Sequence, residues 1–152
     1  MPRATSTQTG AAISQLAIDP IEWRDLAQDI AAAGGRLLAL WGTSRVGQSD
    51  TLHAVAVAPP RVLLISFPIA DGTRQYPGVG DVFPSASRMQ RAVFDLCGLR
   101  STDHDARPWL RHAAWPEGAF PLAANPMPSS PQSLIDDYAF VRGEGDGVHE
   151  IA

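Results

Sequence analysis

The fold class this sequence predicts is α+β, in two layers: a mainly antiparallel, mixed sheet with two helices packed on one face and an extended, proline-rich C-terminal arm. Three observations predict it. Two stretches carry apolar residues at helical spacing behind a capping signal. Between them, three runs rich in Leu, Val and Ile are joined by connections so short that antiparallel neighbours are implied. After Trp115, proline recurs at 116, 121, 126, 128 and 131, which disfavours regular elements and suits a segment running extended over a surface.

Residues 1–18 have no sustained apolar run and are expected to form a flexible N-terminus, ahead of a domain at 19–122 and an arm at 123–152 leading into a further, catalytic domain. Asp19-Pro20-Ile21-Glu22 reads as a helix start, with Asp19 as N-cap, Pro20 in the first turn and Glu22 closing a capping box. Trp23, Leu26, Ala27 and Ile30 then recur on one face until Gly34-Gly35 stops the helix, giving a range near 20–33. Strands follow at 36–41, 51–58 and 61–67, the last two separated by a Pro59-Pro60 turn, and a meander is the simplest arrangement. His53, Val55 and Val57 alternate with small residues, as in a sheet covered on one face. Ser87 and Gln90 repeat the capping signal, and Met89, Val93 and Leu96 form a stripe ending at Gly98. On the other side of this second helix Arg91 and Asp95 sit one turn apart, a spacing that allows a weak pair. Residues 138–152 read as a strand, a glycine-rich turn and the beginning of another strand.

Composition narrows the function. A chain of 152 residues with a 45% hydrophobic fraction can bury one ordinary core without disulfides or metals. All twelve basic residues are arginine, so Schiff-base chemistry and a lysine-dependent phosphate loop are excluded. The net charge of -4 provides no basic stripe for nucleic acid. Cys97 stands alone, too few thiols for a disulfide or an iron–sulfur site, and a reducing, cytoplasmic setting fits. No segment has the length and apolarity of a membrane span.

Several motifs have both a chemical and a plain structural explanation. Gly42 to Ser49 has the spacing of a phosphate loop, but Gln48 replaces the lysine and a strand follows instead of a helix, so a hairpin loop is expected. Asp103-His104-Asp105 with His112 offers metal-ligand chemistry, or a small hydrolase, without the spacing of either, and a solvated loop is the simpler assignment. Cys97, beside an apolar stripe and near a helix C-terminus, reads as a buried, inert thiol. No Gly-x-Ser-x-Gly elbow occurs. Arg107-Pro108-Trp109-Leu110-Arg111-His112 with Trp115 combines the residue types that dominate interface hot spots.

Tyr76-Pro77-Gly78-Val79-Gly80-Asp81-Val82-Phe83-Pro84-Ser85-Ala86, followed by Arg91-Ala92-Val93-Phe94-Asp95-Leu96-Cys97-Gly98-Leu99, resembles the signature of the 30 kDa subunit family of respiratory complex I. That family reads Pro-Ser-Val-Thr-Asp-Ile-Phe-Pro-Ala-Ala and then Glu-Arg-Glu-Val-Tyr-Asp-Leu-Phe-Gly-Ile. Arg91, Asp95 and Gly98 match position for position, whereas the two motif glutamates are replaced by Gln90 and Ala92. The ending Val148-His149-Glu150-Ile151 is similar to the junction at which, in formate hydrogenlyase-type membrane-bound nickel–iron hydrogenases, such a domain is fused to the large catalytic subunit.

The resemblance implies a noncatalytic assembly domain with no cofactor of its own, nickel–iron and iron–sulfur centres being carried elsewhere in the complex. Implied partners are the catalytic domain of a hydrogenase large subunit in cis, or a complex I 49 kDa-like subunit, together with an iron–sulfur small subunit. The implied location is cytoplasmic, peripheral on the inner face of the cell membrane through the complex, with self-association of the isolated chain left open. The docking set is Arg88, Arg91 and Asp95 on the second helix, with Arg107, Trp109, Arg111, His112 and Trp115 beyond it. A stand-alone 30 kDa subunit of an NADH dehydrogenase is the alternative.

Overall fold

Strand β1 (Ala12–Ala17) opens the fold, and it runs parallel to a strand more than forty residues later in the chain. The computed structural model describes residues 12–70, 72–111, 115–116 and 118–126. Helix α1 (Trp23–Ala32) follows, then β2 (Arg36–Thr43), β3 (Thr51–Ala58), β4 (Arg61–Pro68), the short β5 (Gln75–Tyr76), α2 (Ala86–Cys97) and the short β6 (Arg100–Ser101). The main sheet has the order β1-β4-β3-β2, an antiparallel meander of β2, β3 and β4 with β1 added in parallel at one edge. β5 and β6 pair in parallel beside it.

The expected α+β architecture is therefore present, with two corrections. Residues 12–17, expected within a flexible N-terminus, form β1: Leu16 lies opposite Ile65 and packs against the core, while Ile13 on the other face is largely exposed. The second helix begins at Ala86 behind Ser85, so Ser87 stands inside it and is not its cap. The arm beyond residue 126, including the strand expected near 138, lies outside the described residues.

The start of α1 forms as its sequence dictates. The Asp19 side chain accepts from the Ile21 amide at 3.0 Å, and the Glu22 carboxylate accepts from the Asp19 amide at 2.9 Å, so a single 3-10 turn over Pro20–Glu22 launches the helix. Gly34 and Gly98 both adopt φ 73°, the left-handed geometry that lets glycine end a helix without a Cβ clash.

Register shows which face the helices cover. Gly42, Leu52 and Phe67 lie side by side across β2, β3 and β4. Phe67 meets the fully buried Trp23 of α1 with ring centroids 5.6 Å apart, and Gly42 faces Val93 and Cys97 of α2. Both helices thus sit on one face, and the strand residues beneath them are Leu52, Ala54, Ala56, Ile65 and Phe67. The alanines matter here: small side chains on the central strand leave room for two helices above it. On the opposite, open face Trp41 stacks on His53 at 5.3 Å, and the His53 Nε2 lies 2.9 Å from the Thr43 hydroxyl. Residues 44–50 form the loop of the β2–β3 hairpin, as the missing lysine and the absence of a following helix imply.

Candidate functional site

The chain leaves α2 at Gly98, turns through β6 and folds back across the outer side of the helix as far as Arg111. Ser87, Gln90, Arg91 and Asp95 of this helix all hold the return segment in place. Asp95, 1% exposed, provides the strongest anchor: its Oδ2 accepts from the backbone amides of Trp109 (2.7 Å), Leu110 (2.7 Å) and Arg111 (3.2 Å). A buried carboxylate that collects three amides in this way fixes a turn by charge-assisted bonds, each worth more than a neutral one.

Gln90 is the second anchor. It stands where the family motif has glutamate, and it is 3% exposed. Its Oε1 accepts from the Val79 amide at 2.9 Å while its Nε2 donates to Asp103 at 2.6 Å, joining the loop before the helix to the segment after it. A carboxylate in this position would lack the donor. Asp103 also accepts from the Gly80 amide at 2.9 Å, and a Cβ at Gly78 would collide with the Asp103 carboxylate, so glycine is required for this close approach. The solvated loop expected at 103–105 is thus replaced by a hub.

Asp105 is the third anchor. It accepts two bonds from Arg107, at 2.8 and 2.9 Å, and one from the Ser87 hydroxyl at 3.2 Å, and it pairs with Arg91 at 3.6 Å. The Arg107 guanidinium holds the Asp105 carboxyl well below the usual carboxylate range. Arg91 and Asp95, whose spacing allows a pair along the helix, bond elsewhere: each has its partner on the return segment. Ser87 likewise serves Asp105 and not the helix start. Arg111 continues the binding, donating to the Ala119 carbonyl at 2.8 Å and lying over the Phe120 ring, which meets Phe94 edge-on at 5.5 Å.

Of the sequence-predicted docking residues, then, Arg88, Arg91, Asp95, Arg107, Trp109 and Arg111 come together, but in two roles. Asp95, Arg91 and Arg111 face inward and hold the segment. Arg88, Arg107 and Trp109 face outward, Trp109 at 47% exposure with Leu110 beside it at 42%. The guanidiniums of Arg88 and Arg91 each lie 5.1 Å from the Trp109 ring. Trp115 is half-buried, and His112 lies outside the described residues. Sequence reasoning singled out Gln90 as a capping partner and Asp103 as a possible ligand but missed their tertiary roles, and it missed the Arg24–Asp81 bridge, in which Arg24 also donates to the Gly78 carbonyl at 2.7 Å. The Gly78-Val79-Gly80 pattern was their one visible trace.

No three His, Cys, Asp or Glu side chains among the described residues converge on a metal position. Cys97 is buried and donates toward the Gly42 carbonyl, and burial pushes its thiol up, away from the reactive thiolate. Tyr76 is buried beside it, with its phenol pushed up by burial and its hydroxyl unpartnered.

The model of the respiratory-chain NADH dehydrogenase 30 kDa subunit family matches residues 17–128. The chain belongs to that family. No curated protein matches it significantly. Among solved structures, a chain of the membrane-bound sulfane sulfur reductase, an archaeal respiratory membrane complex, aligns with TM-score 0.66 at 14% identity, covering 94% of this chain and 88% of that one. The trypsin-resistant fragment of Nqo5 aligns with TM-score 0.54 at 16% identity, covering 63% and 83%. At such identities the likeness establishes the shared fold. Family membership places this chain among the subunits of respiratory complexes, and no helix among the described residues is long and apolar enough to cross a membrane.

Proposed function

We propose that this chain is a noncatalytic assembly domain of a membrane-associated nickel–iron hydrogenase or NADH:quinone oxidoreductase-like complex, bracing the large subunit that carries the active site. One observation carries the reading: the carboxylates and amides of the motif are committed to internal struts that fix residues 102–111, and what stands exposed on that frame is Arg88, Trp109 and Leu110, with Arg107 exposed beside them while paired to Asp105. A rigid loop tipped with tryptophan and arginine is built for contact, since such side chains bury much area at little entropic cost. In this reading the redox centres belong to the partners, and the single cysteine of the chain supports it, since an iron–sulfur cluster takes several thiolates. Its place is peripheral, on the cytoplasmic side of the membrane, held there through the complex.

The test is copurification from cells carrying the whole complex. Trp109→Ala combined with Arg107→Ala should release the chain from its complex while leaving the domain folded, with a cooperative melting transition. Undiminished copurification would overturn the reading, as would a stoichiometric redox centre in the isolated chain.

A further inference from the structure

The exposed tip has a charge that the rest of the chain lacks. Most arginines near α2 have their donors engaged: Arg91 and Arg107 share the Asp105 carboxylate, and Arg111 donates to the Ala119 carbonyl. Two are not. Arg88 and Arg100 make no ion pair or hydrogen bond through their guanidiniums among the described residues, and each lies against a ring, Arg88 over Trp109 at 5.1 Å and Arg100 over Phe94 at 4.2 Å. Ring contact fixes a guanidinium plane without consuming its N–H donors, so both forks are held ready for an acceptor.

Arg91 connects the two positions. It lies over Trp109 with Arg88, and it lines one cleft with Phe94, Arg100, Asp105 and Arg107. The acidic groups nearby are already engaged, Asp95 with three amides, Asp103 with Gly80 and Gln90, and Asp105 with two arginines. In a chain whose net charge is -4, this ridge is a local excess of positive charge around an exposed indole.

We propose that the Arg88–Trp109–Arg100 ridge receives an acidic segment of a partner protein, one whose Asp or Glu carboxylates are gripped by the two free guanidiniums while an apolar side chain lies on Trp109 and Leu110. The inference rests on the docking reading above and adds the chemistry of what docks. Charge complementarity selects this occupant: bidentate arginine–carboxylate pairs give register and specificity, and the aromatic centre gives the anchor.

The test uses the complex, and separately the full chain with a synthetic probe. Arg88→Glu combined with Arg100→Glu removes two ring contacts but no ion pair and should leave the domain folded with a melting temperature a few degrees at most below the parent's, yet the variant should dissociate from its complex at a clearly lower salt concentration than the parent. An acidic peptide with one phenylalanine among glutamates should bind the full chain about tenfold more weakly when salt is raised from low to physiological strength, and its glutamine analogue should not bind. Release of the charge-reversed variant at the parent's salt concentration, or equal binding of the glutamine analogue, would overturn the proposal. If the Trp109→Ala, Arg107→Ala pair loses the complex while the charge-reversed pair keeps it, docking stands and the acidic partner falls. Preferential binding of a DNA oligonucleotide over the peptide would also overturn it.

Discussion

The two helices of this small domain satisfy their polar residues in opposite ways. α1 is capped from within: Asp19 and Glu22 close its start within three residues of each other, its apolar face carries Trp23, Ala27 and Ile30 into the core, and Arg24 makes a long-range tie to Asp81 and the Gly78 carbonyl. α2 has no side-chain cap at Ser85, and Gln90, Arg91 and Asp95 all find partners ten or more residues away in sequence. The difference teaches where to look for function. A helix that is capped by its own sequence is chiefly a structural brace, whereas one that uses Gln90, Arg91 and Asp95 to fasten residues 102–111 is presenting that loop.

Breaking the α2 arrangement should have the larger consequences. Asp95→Ala strands three amides at once and should lower the unfolding free energy by about 3 kcal/mol, read from urea denaturation, with faster proteolysis between residues 102 and 111. Gly78→Ala drives a methyl group into the Asp103 carboxylate and should cost about 2 kcal/mol by the same measurement, with the return segment again losing protection. On α1, Asp19→Ala should cost about 1 kcal/mol and leave the protection of 102–111 untouched, which hydrogen exchange would register. Ser87→Ala should cost less than Asp19→Ala, roughly 0.5 kcal/mol, because Ser87 supports one bond to Asp105 and caps nothing. Equal costs for the two would erase the distinction drawn between the helices.

Acid supplies the mildest perturbation. Because the folded carboxyl of Asp105 is depressed, its contribution is fully present above its unfolded value of about 4 and is lost as pH falls through the lower folded value. Side-chain resonances of Arg107 should therefore hold steady from neutrality to about pH 4 and move only below it, and Asp105→Asn should abolish that acid-side movement.

Much of the architecture was legible because its signals were local. The capping box at Asp19, the glycine stops and the short strand connections each involve residues within a few positions of one another, and the meander and both helices follow from them. β1 escaped notice for a physical reason: an edge strand with one face exposed needs few apolar residues, and Ala12–Ala17 draws its pairing from β4, far along the chain. The site was half legible. The residue types at Arg88, Trp109 and Arg107 announce contact by composition, and the family-like motif marks Arg91 and Asp95, but whether those charges point outward or inward is decided by the fold of residues 102–111, which no helical spacing encodes. Ser87 and Gln90 show the error most clearly, since a perfect local capping pattern lost to partners brought in by tertiary structure.

Cys97 has a practical consequence of its own. Its sulfur lies 3.6 Å from the Gly42 carbonyl, at the seam where α2 rests on β2, shielded from solvent on every side. A thiol reagent can reach it only when that seam parts, so the alkylation rate of the unmodified protein is a stopwatch for the breathing of helix against strand, already installed at the spot that supports the presented loop.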